Sequence, residues 1–519
     1  MKKRRKKTQS SLVPQWLSNT GLIVGWGLAI GFGLLHLQQP EQEIPQAAPE
    51  KKENTAPLGL YDPQSVATEP RFEELERTLR EITAQEGLIG STVVSCILDS
   101  KGEVVFSFDG DRSFVPASAL KTITTATILE KLGPGFRFRT LLQGTTPLPT
   151  SDNPPTGGIY KGDLVIVGGG DPSLTTEHLI QWSTDLAGLG IKKIDGRVIA
   201  DGKIFPELTA AKAWDWGDVG NYYGAPAAGL NIDGNRYAAT FRPGEKIGDP
   251  AALVEILPEV PGVEIFNRML TSEPSRASRD APYAYAGPYS YTITFRGAVP
   301  LNATEEVLMG AVPDPVFSVS TRLHKILTQR GIEITGKPTT ARLLELDNKP
   351  TPVPEKLHAG LGHVSDPLID LITHTHKVSD NLYAECFFRL LAMEQKNGDG
   401  QTAVETHWAK RGLELVGLRM EDGSGLARAD VIRAADLAKV NFLARTGEHG
   451  NIFYQSLRPQ FEGKMRWKGG AMSRVRAYVG FTVSTTEELT FVLAFNNYDA
   501  DRVTVAKARE KVLKVMASY

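Results

Sequence analysis

Residues Pro116 to Ala126 read PASALKTITTA, with a serine, Ser118, two places after a proline and a lysine, Lys121, three residues further on. Residues three apart share a helix face, so Ser118 and Lys121 meet if a helix begins at or just before the serine. The unpaired N–H groups and positive dipole end of that helix would then favour an alkoxide and the anion that follows acyl attack. A buried lysine, or one beside a second cation, gives up its proton more readily and can serve as the base. Taken alone, the tetrapeptide reads as an ordinary helix start with a surface lysine, and the rest of the chain has to decide.

At 519 residues the chain exceeds what one hydrophobic core usually organises, which predicts two or more domains. Hydrophobic residues at 41% and charged residues at 23% are ordinary for a folded protein, while Gly 50 and Pro 32 announce many turns and strands. The net charge is -2, and six of the positive charges sit in Lys2 to Lys7, so the remainder of the chain is acidic. That excludes a nucleic-acid binder built on a basic face.

MKKRRKK is followed by GLIVGWGLAIGFGLLHL, an uncharged apolar run of 17 residues from Gly21 to Leu37. This is close to the lower limit for crossing a bilayer, and the basic cluster ahead of it fixes that end in the cytoplasm. No small-residue cleavage site directly follows, which favours an uncleaved anchor over a removed signal peptide. Residues 1–20 are therefore expected to be a basic cytoplasmic tail, 21–37 a transmembrane anchor and 38–61 a linker, with everything beyond on the extracytoplasmic, periplasmic side of the cell envelope. Cys96 and Cys386 are too few for a disulfide scaffold; two buried thiols and a single bridge both remain open.

Along the chain, Phe72, Leu75, Leu79 and Ile82 recur at helical spacing, and strand-like runs follow at Ser91 to Leu98 and Glu103 to Phe108. The helix that begins near Ser118 stops at Gly133. From about Thr146 to Pro354 the texture changes to short strands and proline-rich turns. Two helix–strand units there, TDLAGLGIKKIDGRV and HKILTQRGIEITGKP, echo one another. Long helices return at Pro367, followed by the strands RVRAYVGFTVS and ELTFVLAFNNY and a closing helix from about Arg502. Strands at both ends with helices between them predict one α/β (α+β) domain, 62–145 and 355–519, whose sheet uses both termini, with 146–354 as a strand-rich insertion.

Downstream of the serine stand Ser379-Asp380-Asn381 and, in RWKGGAMSRVRAYVGF, Lys468-Gly469-Gly470. A serine helix with S-x-x-K, then S-D-N, then K-[ST]-G on a strand is the order of penicillin-binding proteins and serine β-lactamases. Ser118 and Ser379 lie far apart in the chain, and the extra length coincides with the strand-rich middle. Here the sequence closely resembles the class C low-molecular-mass penicillin-binding proteins, the D-alanyl-D-alanine carboxypeptidase and endopeptidase family, in which domains are inserted between the first two motifs. The resemblance runs from about Leu75 to the C-terminus and takes in VGGGDPSL at Val167 to Leu174, YYGAPAAGLNIDGN at Tyr222 to Asn235 and DGSGLAR at Asp422 to Arg428. It implies the penicillin-binding-protein/β-lactamase-like transpeptidase fold. It also implies peptidoglycan stem peptides as substrate and β-lactams as inhibitors.

Acyl transfer then assigns roles. Ser118 attacks the carbonyl of the penultimate D-alanine and Lys121 takes its proton. Ser379 relays a proton to the leaving amine, Asn381 hydrogen-bonds the substrate amide, and Lys468 draws in the terminal carboxylate and helps keep Lys121 neutral. The strand residues Gly469, Gly470 and Ala471 line the substrate, and the resemblance makes the backbone N–H groups of Ser118 and Ala471 the oxyanion hole. No metal or organic cofactor is required. Gly469 departs from the family pattern, which has Thr or Ser there to help hold the carboxylate; Ala427 stands where a serine commonly follows GSGL. Gly469 also motivates a different reading, an envelope-anchored peptidoglycan-binding or scaffold protein with weak or no turnover.

Other features keep plain readings. GGGDPS at Gly168 to Ser173 lacks the third glycine of a dinucleotide loop and the Gly-Lys-Ser/Thr of a phosphate loop, and is expected to be a tight strand-to-helix turn. His374 and His376 are two apart, poor geometry for a helical metal pair.

Overall fold

The alternation in the C-terminal strands decides the architecture, because both faces of the sheet they build are covered. The structure, a computed structural model, describes residues 69–205, 210–274, 281–395, 398–482 and 487–519. The expected tail, anchor and linker, 1–61, lie outside the described residues. Among the described residues no helix is long and apolar enough to cross a membrane.

In chain order the elements that frame the site are α1 (Glu73–Thr83), β1 (Thr92–Leu98), β2 (Val104–Phe108), α2 (Lys121–Leu132), α3 (Leu368–Val378), α4 (Asn381–Ala392), α5 (Ala434–Thr446), β3 (Arg458–Gln460), β4 (Met465–Met472), β5 (Val475–Thr482), β6 (Thr490–Asn496) and α6 (Arg502–Met516). The strands form one antiparallel sheet in the order β3-β4-β5-β6-β1-β2, so strands from both ends of the described chain lie side by side. Successive residues of a strand face opposite ways. Val94, Cys96, Ala477, Val479, Val492 and Ala494 pack against α2, α3, α4 and α5. Val93, Ile97, Tyr478, Phe491, Leu493 and Phe495 pack against α1 and α6. The result is a helix–sheet–helix sandwich with a core on each side.

Helix α2 lies inside that sandwich and is buried on nearly every side from Lys121 to Leu129. Threonine is a weak helix former, yet Thr122, Thr124, Thr125 and Thr127 are all buried here. Their hydroxyls are satisfied by carbonyls: Thr125 bonds Lys121 O at 2.7 Å, Thr127 bonds Ile123 O at 2.7 Å, and Thr124 crosses to Gly423 O at 2.7 Å. A polar but fully paired helix can therefore sit in the core.

The middle of the chain builds separate sheets. A five-stranded one runs Thr339–Thr340, Val198–Asp201, Leu164–Val167, Arg139–Gly144, His358–Val364. Its last two strands are the crossings into and out of the middle segment, so sheet membership changes at about Arg139 and Val364. The echoed units do lie together: helices Thr176–Gly188 and Pro315–Gln329 share a core, and the strands after them, Lys193–Asp195 and Glu333–Ile334, pair in parallel. All described residues belong to one compact unit.

Cys96 and Cys386 are both buried free thiols. GGGDPS is the tight turn expected, between the strand Leu164–Val167 and the helix Thr176–Gly188.

Candidate active site

Ser118 does not stand in the α-helix itself. It lies in a 3-10 turn, Ala117–Leu120, that leads into α2 at Lys121. With three residues per turn, side chains at i and i+3 eclipse, and Lys121 Nζ donates to Ser118 Oγ at 2.9 Å. The same ammonium nitrogen reaches Asn381 Oδ1 at 2.6 Å and the Ser424 carbonyl at 2.7 Å. Lys121 is completely buried, and burial lowers its pKa to about 8 against the pull of Asp422, Asp380, Glu385 and Asp430. Near neutral pH it therefore supplies a fraction of free amine aimed at the serine hydroxyl.

The S-D-N motif is the joint between two helices. Ser379 ends α3 in the left-handed conformation, φ 60 and ψ 41. Asp380 caps α4, its carboxylate accepting from Leu382 N at 3.0 Å and Tyr383 N at 3.4 Å and pairing with Arg236 at 2.8 Å. Asn381 is the first residue of α4, and besides meeting Lys121 it donates to the Tyr223 carbonyl at 2.7 Å. On β4, Lys468 Nζ donates to Ser379 Oγ at 2.8 Å and to Gly469 O at 2.7 Å. Burial first, then Lys121 and Arg458, push Lys468 well below the ordinary lysine range. Two lysine–serine pairs thus face one another across the cleft.

β4 brings the third motif to the nucleophile by close backbone packing. A Cβ at Gly470 would fall 2.4 Å from Pro116 O and 2.8 Å from the amide nitrogens of Ser118 and Ala119, so only glycine lets the strand lie this near the turn. β3 covers β4 only from Met465 to Trp467. From Lys468 to Met472 the edge of β4 is open for an extended substrate to pair with, and Ala471 is exposed on it. A Cβ at Gly469 would point the other way, toward the Tyr478 ring at 3.5 Å.

The structure thus brings Ser118, Lys121, Ser379, Asn381, Lys468, Gly469, Gly470 and Ala471 to one cleft. It adds groups that sequence reasoning missed, several of them backbone atoms. The carbonyls of Tyr223 and Ser424 hold Asn381 and Lys121. Asp422 shapes the loop that presents Ser424, accepting from the N–H groups of Ser424 (2.9 Å), Gly425 (2.5 Å), Leu426 (3.0 Å) and Ala427 (2.9 Å) and from the Trp214 indole (2.5 Å). Glu385, raised to about 8 chiefly by burial, accepts from Gly423 N at 2.6 Å in the same loop. Gly425 closes the loop in the left-handed region, φ +75, where an added Cβ would strike the Ala117 carbonyl. Tyr223 and Trp214 belong to the strand-rich middle, which therefore helps build the site. Both lie in or near stretches that carried the family resemblance. His376 is buried between Thr125 Oγ1 (2.9 Å) and Ser456 Oγ (2.8 Å), and His374 is exposed beside Asp380 at 3.7 Å.

The arrangement suits acyl transfer: a hydroxyl on a base, a second hydroxyl on a cation, and an open strand edge beside them. The family described as D-Ala-D-Ala carboxypeptidase 3 (S13) matches residues 75–518. The chain is 24% identical over 387 residues to D-alanyl-D-alanine carboxypeptidase DacB of Haemophilus influenzae, a match covering 72% of this chain and 75% of that one. It is 24% identical over 476 residues to the D-alanyl-D-alanine carboxypeptidase of Actinomadura sp. strain R39, covering 85% and 84%. In fold it is similar to the crystal structure of penicillin binding protein 4 (dacB) from Haemophilus influenzae, with a TM-score of 0.72 at 21% identity over 85% of this chain and 99% of that chain.

Proposed function

We propose that this chain, which belongs to the D-Ala-D-Ala carboxypeptidase 3 (S13) family, is a serine hydrolase that cuts peptidoglycan stem peptides beside D-alanine, as carboxypeptidase, endopeptidase or both, and is acylated by penicillin. The observation that carries this reading is the 2.9 Å bond from the buried Lys121 to Ser118. Lys121 takes the hydroxyl proton as Ser118 Oγ attacks the carbonyl carbon. The oxyanion is met by the N–H groups of Ser118 and Ala471, and Asn381 holds the acyl-side amide. Lys468 binds the terminal carboxylate, whose charge keeps that lysine protonated, and Ser379 beside it passes a proton to the leaving nitrogen. Water then releases the acyl group, with Lys121 again as base.

The domain reading goes with the function: 62–145 and 355–519 carry the catalysis and 146–354 is inserted. Gly469 is the feature that favours a scaffold protein with weak turnover. Against it stand five chemistry-bearing side chains, Ser118, Lys121, Ser379, Asn381 and Lys468, held at hydrogen-bond distance. D-Alanine release from a pentapeptide, lost in Ser118→Ala, tests the activity. If wild type releases none while still binding peptidoglycan fragments, the scaffold reading replaces it. On the same reading, Gly21 to Leu37 anchors the chain with Met1 to Lys7 in the cytoplasm and the enzyme on the periplasmic side, supported by the basic cluster before the apolar run. Protease added to spheroplasts should degrade the large domain, and full protection would refute the topology.

A further inference from the structure

We propose that Arg236, in the strand-rich middle of the chain, is a positioning residue for acyl transfer: by holding the Asp380 carboxylate it fixes Ser379 and Asn381, the residues on either side. This rests on the hydrolase reading above and concerns a side chain outside the three motifs. Asp380 is buried, 7% exposed, and its two oxygens have different partners. Oδ1 accepts from Leu382 N at 3.0 Å and Tyr383 N at 3.4 Å, which caps α4. Oδ2 accepts from Arg236 Nη2 at 2.8 Å and lies 3.7 Å from His374 Nε2. Ser379, just ahead, stands in the left-handed region at φ 60. A non-glycine residue keeps that conformation only where its surroundings impose it, so the joint between α3 and α4 needs an anchor from outside.

Arg236 is itself held firmly. It opens the strand Arg236–Arg242, in register with Ala311. The buried Asn235 before it bonds Ile232 N at 2.9 Å and Pro226 O at 2.7 Å. The guanidinium lies over the Tyr222 ring, 5.5 Å from its centroid. Tyr223, the next residue, gives the carbonyl that accepts from Asn381 at 2.7 Å. One patch of the middle segment therefore grips the second motif twice. Charge follows the same geometry. Burial raises the Asp380 pKa, and His374 and Arg236 hold it below the ordinary carboxylate range. The groups facing Asp380 are Arg236, His374 from α3, Tyr383 from α4 and Lys121 from α2. After Asp422, Asp380 is the charge that most favours the protonated form of Lys121. Arg236 offsets that charge. Removing its cation leaves the carboxylate uncompensated, keeps Lys121 protonated to higher pH and moves the acylation limb upward.

The test is the rate of acylation by a saturating fluorescent penicillin from pH 6 to 10, in wild type, Arg236→Gln and Arg236→Lys, with melting temperatures to confirm folding. Glutamine can still hydrogen-bond Asp380 but carries no charge, whereas lysine keeps the charge without the planar fork. Arg236→Gln should acylate about tenfold or more slowly at pH 7, with its limb at higher pH than wild type. Arg236→Lys should return the limb to the wild-type pH and recover most of the rate. A glutamine variant with the wild-type rate and limb overturns the assignment. So do glutamine and lysine variants that fall alike with the limb unmoved, a result that leaves Arg236 a packing role only. If Arg236→Gln does not fold, Arg236→Lys decides: a limb at the wild-type pH supports the assignment, and a displaced one overturns it. A wild type that does not react with penicillin at all overturns the hydrolase reading instead.

Discussion

Replacing Gly470 by alanine adds one methyl group where the third motif touches the nucleophile turn. The new Cβ would fall 2.4 Å from Pro116 O and 2.8 Å from Ser118 N and Ala119 N, whereas ordinary contact begins at 3.4 Å. All three atoms are backbone, so none can rotate away. Relief requires β4 and the turn to separate by about 1 Å, and a misplacement of that size costs on the order of 100-fold in rate. Loss of one oxyanion donor alone gives about 10²–10³, and the strand that moves carries Ala471. Overpacking should also lower stability by about 1–3 kcal/mol. The neighbouring glycine is an internal control. A Cβ at Gly469 meets the Tyr478 ring at 3.5 and 3.6 Å, ordinary contact with a side chain. Gly470→Ala should therefore slow acylation by a fluorescent penicillin about 100-fold or more, and Gly469→Ala by less than about threefold. Stopped-flow acylation rates, with melting temperatures to exclude unfolding, measure both. If Gly470→Ala acylates at the wild-type rate, or both variants lose activity alike, the close approach of β4 is not what organises the site.

With Lys121 near 8 and active only as the free amine, acylation should rise as pH increases from 6 and reach half its plateau at about pH 8; a flat profile from 6 to 9 would remove Lys121 as base. Among the charges around Lys121, Asp422 is the strongest in favouring the protonated form, so Asp422→Asn should move this limb to lower pH while lowering the plateau, because the 422–427 loop loses part of its anchor; the same pH profile measures both, and an unmoved limb would leave Asp422 a purely structural role. Gly469→Thr has room beside Tyr478 and, the edge of β4 being open there, tests whether a hydroxyl at this position reaches round to the substrate carboxylate. Penicillin acylation should rise about tenfold or more on the value of one charge-assisted hydrogen bond, and a slower variant would mean that another group already holds the carboxylate.

The three motifs were legible because each places particular side chains at fixed offsets, and a sheet built from both ends followed from the distribution of strand-like runs. What could not be read was carried by the backbone. No sequence pattern announces that the carbonyls of Tyr223 and Ser424 will brace Asn381 and Lys121, since every residue has a carbonyl. Ser379 adopts a left-handed conformation that its identity does not favour, imposed by the junction of α3 and α4. An α-helix was expected at Ser118, but the chain enters through a 3-10 turn because Ala117, at φ 45, turns sharply under the Gly425 loop. The crossings at Arg139–Gly144 and His358–Val364 fall inside the segments 62–145 and 355–519 that the sequence assigns to the catalytic domain. Only pairing with strands about 20 and 220 residues away along the chain reveals their sheet.

The most direct test is to label the protein with a fluorescent penicillin, digest it and locate the adduct by mass. The expected adduct is a single ester on Ser118, absent from a Ser118→Ala variant that melts at the wild-type temperature. A label on another serine, or labelling that survives the substitution, would contradict Ser118 as the nucleophile.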